Sequence, residues 1–425
     1  MADQHREDIQ SDLVHSDEVD PDQAPPEEEL PPPIPTGLEL TTLDRYFCDS
    51  PYPIVEEMRV REPVHHDTVL NRYFLTRHDD VRDVLSDTAL SNDPRDGSPD
   101  TFAHTQLRFD AHMGPSWSAM HDPEHLRLSE VVRQWLTPEA AEAFRPRITA
   151  VATGILDELD DSEFEIDLIA RYASPITTLV LAQFFGIDPQ HHPQFRRSVG
   201  VLMLAFVNPQ ASSEAAQTAA QRSVDECFRE TIAARRLAPA NDLISAMLGA
   251  AGDDTTVRMC NLVLITANIA TAHLIGNGVR AMLQNTRQMT LLREKNVFVG
   301  QAIDEILRYD SPVVQTHRIA RRDLVIAGCP IAKGETLTTS LAGANHDDSV
   351  YPESDRFDVS RADSHHHAFG GGAQRCPGAE LATVTAQEAI LGIVVRFEEF
   401  GLSPLGWEFA LVPGLRIVKY FWVRT

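Results

Sequence analysis

The run Ala368-Phe369-Gly370-Gly371-Gly372-Ala373-Gln374-Arg375-Cys376-Pro377-Gly378-Ala379-Glu380 constrains this chain more than any other stretch. Glycines reach positive φ and let backbone come close to a flat ligand, while Pro377 suits a first helical turn, where its missing N–H costs nothing. Apolar residues recur at helical spacing over residues 380–397, which predicts a helix opening just past Cys376. A cysteine there faces orphan N–H groups and the positive end of the helix dipole. Both favour the thiolate, the form that ligates metals.

A single thiolate with no other Cys or His at zinc spacing is wrong for a structural zinc site. Heme brings four ligands of its own and needs one axial donor. His365-His366-His367 offers no alternative metal site, because adjacent histidines in an extended segment point to opposite faces. Residues Phe369 through Gly378 resemble the heme-binding loop of the cytochrome P450 family, whose pattern is Phe-Gly-x-Gly-x-His/Arg-x-Cys-x-Gly. The resemblance implies heme b with Cys376 as its iron ligand and Phe369, Gly370 and Gln374 in the cradle. Gln374 stands where the family usually has His or Arg, and it donates hydrogen bonds without charge.

Three further elements resemble the family in its order. In Glu305-Ile306-Leu307-Arg308 the charges lie three apart on one helix face, like the family's Glu-x-x-Arg, and the resemblance implies a buried structural pair tied to residues 345–361. Arg318 and His125 match places where the family holds the heme propionates, two carboxylates that need cationic or hydrogen-bonding donors. The family usually has an Arg four residues after His125, where this chain has Ser129.

A chain of 425 residues can enclose a bulky ligand, and the formal charge of -26 argues against a nucleic-acid partner or an anionic membrane. Five widely spaced cysteines make no disulfide framework. The first ten residues lack a signal-peptide pattern and no apolar run approaches membrane-spanning length, so the expected place is the cytoplasm. Residues 1–36 are acidic and Pro-rich, with Glu27-Glu28-Glu29 and Pro31-Pro32-Pro33, and read as a disordered, solubilising tail. From residue 37 to 425 no repeat or linker divides the chain, which predicts one large heme-thiolate domain.

Its fold class reads as mainly α with a small β region, which agrees with the cytochrome P450 fold. Helical periodicity covers residues 139–157, 166–185, 215–236, 261–283 and 380–397, and a short helix covers 79–85. Strand signals lie at 72–76, 324–326 and 337–340. Residues 91–120 are too long for an ordinary connection and read as a lid. Gly276-x-Gly278-x-x-Ala281 mimics a dinucleotide fingerprint but sits inside a helical pattern.

Counting back from Glu305, residues 265–276 resemble the family's long distal helix, whose pattern Ala/Gly-Gly-x-Asp/Glu-Thr puts an acid and a hydroxyl beside the iron for proton delivery. Here those two positions are Ile269 and Ala270. Small Ala267 and Ala270 permit close approach to heme, and Asn268 and Thr271 are the candidate relay groups. The expectation is a monooxygenase with atypical proton delivery, acting on a mostly apolar small molecule, in the manner of secondary-metabolite enzymes. One alternative is a heme-thiolate enzyme driven by peroxide or catalysing rearrangement, dehydration or cyclisation. Another is a non-catalytic helper of a glycosyltransferase, against which retention of Cys376, Glu305, Arg308 and Arg318 argues. Substrate contacts are assigned to Trp117, Phe206, Val313 and Val314. Resemblance to soluble bacterial members implies ferredoxin and ferredoxin reductase as electron donors, docking on basic residues such as Arg133 and Arg375.

Overall fold

The longest apolar periodic stretch becomes the spine of the protein: a 32-residue helix, Asp253–Gln284. It is apolar and long enough to cross a membrane, yet 67% of its most apolar window is buried inside the protein, so its apolarity serves a core helix. The computed structural model describes residues 33–104, 123–159, 164–295, 298–362 and 364–425, with residues 123–126 by backbone only. Pro35–Thr425 form one compact unit. Residues 1–32, most of the acidic tail, lie outside the described residues.

The described helices of eight residues or more are α1 (Tyr52–Arg61), α2 (His78–Ser86), α3 (Pro123–Gln134), α4 (Pro138–Asp157), α5 (Ser174–Phe185), α6 (His192–Val207), α7 (Glu214–Leu237), α8 (Asp253–Gln284), α9 (Thr286–Glu294), α10 (Val299–Asp310) and α11 (Ala379–Arg396). Helices α3 to α11 supply most of one continuous core, to which α11 gives Leu381, Val384, Ala386, Ala389, Ile390, Ile393 and Val394. Gly276 and Gly278 allow close packing of α8. A Cβ on Gly276 would lie 2.5 Å from Ile169 Cδ1, and one on Gly278 would lie 2.7 Å from Ile390 Cδ1. That packing role accounts for the glycines without any dinucleotide.

Strands β1 (Val64–Asp67), β2 (Arg72–Leu75), β3 (Leu90–Ser91), β5 (Gln315–Ala320) and β8 (Thr336–Ser340) form a sheet in the order β1-β2-β8-β5-β3. Strands β4 (Glu165–Asp167), β9 (Gly401–Val412) and β10 (Leu415–Arg424) form a second, and β6 (Leu324–Ile326) pairs with β7 (Cys329–Ile331) in a hairpin. The helix read over 166–185 is shorter than its periodicity suggests. Ile166 pairs with Val423 in the β4–β10 ladder, a π-helical turn covers Ile169–Ala173, and α5 begins only at Ser174, with Pro175 in its first turn. The C-terminal hairpin β9–β10 is a further element that helical periodicity does not signal.

Candidate functional site

Cys376 is presented by a loop folded against the end of α2. Gly370 and Gly372 take φ of 70° and 62°, and a Cβ on Gly372 would sit 2.5 Å from the Leu85 carbonyl oxygen. Glycine is therefore required there on both conformational and steric grounds. The Cys376 N–H donates to Phe369 O at 2.8 Å and Gly370 N–H to His367 O at 2.7 Å, closing the loop. His366 lies beneath it with its ring 5.7 Å from that of Phe369, and its Nδ1 accepts from the Ala368 N–H at 3.2 Å.

Burial raises the Cys376 thiol above its ordinary range, against the pull of the Gly378 and Ala379 N–H groups, Arg375 and Arg133. This corrects the thiolate expected from the helix N-terminus alone. Desolvation outweighs the dipole, so the free side chain is a thiol, and its deprotonation belongs to metal coordination.

A cavity of ≈ 520 Å³ separates Cys376 from α8. Along α8 it is lined by Val263, Thr266, Ala267, Ala270, Thr271 and Leu274, residues three and four apart that share one helix face. Of the residues singled out in the sequence, Cys376, Phe369, Gly370, Gln374, Arg318, Ala267, Ala270, Thr271 and Val313 line this cavity.

The others lie elsewhere. Asn268 is fully buried and donates through Nδ2 to Thr178 Oγ1 at 2.8 Å, and Ile269 packs with Ala410 and Ile417. Phe206 joins that same apolar cluster. Val314 is buried away from the lining, its N–H bonded to Gly414 O. Trp117 lies outside the described residues, and His125 is described only as backbone in α3.

One end of the cavity is cationic. Arg318 is 4% exposed; its guanidinium donates to His317 O at 2.8 Å, and no carboxylate among the described residues lies within ion-pairing distance of it. Burial pushes its pKa down to about 10. Arg318 stays charged, whereas the adjacent His317 is held neutral: burial, then Arg72 and Arg318, bring it down to about 3. A buried cation without an anion is costly, and it fits a ligand that carries carboxylates.

Asn92, which sequence reasoning missed, lines the same end. Ser91 pairs with Ile319 in the β3–β5 ladder, so the next residue on each chain sets Asn92 across from Arg318. The Asn92 Oδ1 is buried with no hydrogen-bond partner among the described residues. Its only sequence signal is a two-residue strand, too short for periodicity to reveal. A thiol on one wall, small side chains opposite, and at one end the Arg318 guanidinium without a carboxylate among the described residues together fit heme.

Behind this site Glu305 and Arg308 are fully buried and bidentate, at 2.7 and 2.8 Å. Arg308 also donates to the carbonyls of Asn345, Ser354 and Arg356. Glu305 also accepts from the Asp358 N–H at 2.9 Å and pairs with Arg361 at 3.2 Å. The pair thus fastens α10 to the segment leading into the Cys376 loop.

Comparison with known proteins agrees with this geometry. Residues 225–401 match the family model described as Cytochrome P450. The chain is 30% identical over 393 residues to cytochrome P450 107B1 of Saccharopolyspora erythraea, covering 88% of this chain and 95% of that protein. It is 31% identical over 379 residues to vitamin D(3) 25-hydroxylase of Pseudonocardia autotrophica, covering 87% and 92%. The crystal structure of P450BioI in complex with hexadec-9Z-enoic acid ligated acyl carrier protein superposes with a TM-score of 0.75 at 26% identity, covering 89% of this chain and 99% of that one. Together with the buried thiol, the unpaired Arg318 and the Glu305–Arg308 anchor, these similarities show that the chain belongs to the cytochrome P450 family and takes heme b as its cofactor.

Proposed function

We propose that this protein is a monooxygenase that inserts one oxygen atom into a mostly apolar small molecule, with electrons from ferredoxin and ferredoxin reductase. One observation carries the reading: a single cavity brings the Cys376 thiol and the cavity face of α8 onto opposite walls, leaving room for a cofactor and a substrate between them. When bound there, heme would supply the redox chemistry of dioxygen, and Cys376, deprotonated on coordination, would hold its iron. The relative named for 25-hydroxylation of vitamin D(3) supports a lipophilic substrate.

The protein's own contributions can be assigned residue by residue. Arg318, with Gln374 and His125, holds the propionates. Val313, with the aliphatic residues Val263 and Leu274, gives the substrate an apolar wall, and Trp117, outside the described residues, is a further candidate substrate contact. Proton supply departs from the family pattern in a specific way. Ala270 faces the cavity without a hydroxyl, while Ile269 is turned into the cluster with Ala410 and Ile417. Thr271, one residue later, also lines the cavity, so its hydroxyl is placed to hand a proton inward. Arg375 and Arg133 flank Cys376 and form the docking face for ferredoxin in the cytoplasm.

The test is to supply purified protein and candidate substrates with ferredoxin, its reductase and NADPH, and separately with peroxide alone. Product formed only with the electron chain is the expected result. Product with peroxide alone, or with no oxidant or reductant at all, assigns the protein to the peroxide-driven or rearranging class. Within the electron-driven assay, Ala270→Thr lowers uncoupled peroxide release and Thr271→Val raises it. Ile269→Asp is expected to destabilise the fold instead, because its carboxylate would enter an apolar cluster without a partner.

A further inference from the structure

We infer that a surface cleft between the first turns of α5 and α6 is the water and proton inlet to the distal helix α8, reached through Thr178 and Asn268. The inference rests on the monooxygenase reading and adds the route by which protons arrive.

The cleft has a volume of ≈ 400 Å³ and is lined by Ser174 and Thr178, among others. Thr177 and Leu181 of the same helix line the heme cavity. Residues 174, 177, 178 and 181 are spaced three, four and seven apart, so they run along one strip of α5. The cleft and the cavity therefore border neighbouring stretches of the same helix. Two hydroxyls of α5 are candidates to link them. The Thr177 hydroxyl donates to Ser174 O at 3.0 Å, so its proton is committed to a carbonyl.

The Thr178 hydroxyl is in a different state. Its oxygen accepts from Asn268 Nδ2 at 2.8 Å, and a hydroxyl that accepts still has its own proton to donate. Asn268 is fully buried, yet its Oδ1 has no hydrogen-bond partner among the described residues. Exchanging the amide oxygen and nitrogen leaves one atom of the amide unpartnered all the same. Buried polar atoms in folded proteins are satisfied by protein or by ordered water, and with a surface cleft beyond Thr178 that Ser174, Arg196 and Arg197 also line, the missing partner is water.

Asn268 lies directly after Ala267 and three residues before Thr271, both of which line the cavity. The chain of groups runs from cleft water to the Thr178 hydroxyl, to a water held by the Asn268 amide, and to the Thr271 hydroxyl. Asn268 is a positioning residue here, since an amide orients the water without exchanging its own proton. In each turnover one oxygen atom of dioxygen enters the substrate and the other leaves as water. Two electrons come from ferredoxin, and the two protons consumed come from cleft water, which bulk solvent re-protonates. The route accounts for how a chain with Ile269 and Ala270 at the usual acid and hydroxyl positions still supplies protons.

Two kinds of measurement test it. A crystal structure of the wild-type holoenzyme is expected to show an ordered water hydrogen-bonded to the Asn268 amide. An empty amide beside other well-ordered buried waters overturns the inlet. In the ferredoxin-driven assay, Thr178→Val and Asn268→Leu are each expected to raise the fraction of electrons lost as hydrogen peroxide by about twofold or more. Both should also raise the solvent deuterium isotope effect on product formation, with substrate affinity measured spectrally unchanged. Thr178→Ser, which keeps the hydroxyl, restores wild-type coupling, a rescue that a purely structural role of Thr178 does not predict. Unchanged coupling and isotope effect in both disruptive variants sink the proposal. Wild-type turnover without reductant removes the monooxygenase reading instead, and the crystallographic water at Asn268 then decides the inlet separately.

Discussion

Arg308 and Arg318 are both buried arginines, at 1% and 4% exposure, and each lies beside a histidine that burial holds neutral with a pKa of about 3, His346 and His317 respectively. Their electrostatic surroundings are opposite. Every reach of the Arg308 guanidinium ends on an acceptor: Glu305 bidentately and three backbone carbonyls. Arg318 reaches one carbonyl, that of its own neighbour His317. A closed node of this kind holds two segments of backbone together and needs nothing from outside. An open node is an unfinished electrostatic site, and what completes it is the ligand.

The contrast breaks most visibly at Arg308. Replacing it by Ala leaves the Glu305 carboxylate with only Arg361 and the Asp358 N–H, and should cost about 3–5 kcal/mol in chemical denaturation, with loss of heme from the purified protein. Removing both charges, Glu305→Leu with Arg308→Leu, should cost less than the single substitution, because no uncompensated charge remains. Normal stability with full heme occupancy in Arg308→Ala would refute the anchor.

His346 sharpens the same node by pH. Burial, then Arg308 and Arg59, depress its pKa from 6.5 to about 3, so the unfolded chain takes up the proton first on acidification. The stability contributed by neutral His346 is complete above pH 6.5 and is lost as pH falls toward 3, by about 3 kcal/mol at pH 4. Denaturation midpoints followed from pH 7 to pH 4 should fall less steeply in His346→Gln than in the wild type.

At the open node the sign reverses. Arg318→Ala removes a buried cation that has no carboxylate partner among the described residues, so the heme-free protein should be as stable as the wild type or more so. The holoprotein should lose heme to an acceptor such as apomyoglobin about 10–100-fold faster. Destabilised heme-free protein together with unchanged heme loss would show that Arg318 is a structural arginine like Arg308.

The sequence was informative where a local pattern carries its own geometry. A glycine run into Cys376-Pro377 dictates a tight loop and a helix start, and charges three apart in Glu305 and Arg308 dictate a shared face. The long lining helix was legible as periodicity, while Ala267 and Thr271 came only from its resemblance to the family's distal helix. What could not be read depends on which neighbour a side chain meets. Asn268 and Ile269 stand within the cavity-facing turn in sequence, but α8 turns them toward α5 and toward the β9–β10 hairpin, and that rotation is set by packing partners distant in sequence. Phe206 and Val314 were grouped with the substrate contacts on residue type and segment, yet Phe206 packs against the cluster of Ile269, Ala410 and Ile417, and Val314 is held by a backbone bond to Gly414. Thiol ionisation was misread for a related reason. The helix N-terminus is visible in sequence, whereas the burial that outweighs it is a property of the assembled fold.

The smallest expected effect lies across the sheet from Arg318. Residues opposed in an antiparallel ladder project to the same face, so Asn92 points with Arg318 toward the cavity, and an amide there adds one neutral hydrogen bond to a propionate that the guanidinium already neutralises. A neutral hydrogen bond contributes about 0.5–1.5 kcal/mol, which makes Asn92→Ala about 2- to 10-fold faster in heme transfer. Asn92→Asp keeps the shape but sets a carboxylate beside the propionate and competes for Arg318, so it should lose heme faster than the alanine variant. In the heme-free protein the same substitution gives Arg318 the anion it lacks and should raise stability. An Asn92→Asp protein that keeps heme better than Asn92→Ala would mean that the open end of the cavity is not where the carboxylates go, and Arg318 would then need another anion.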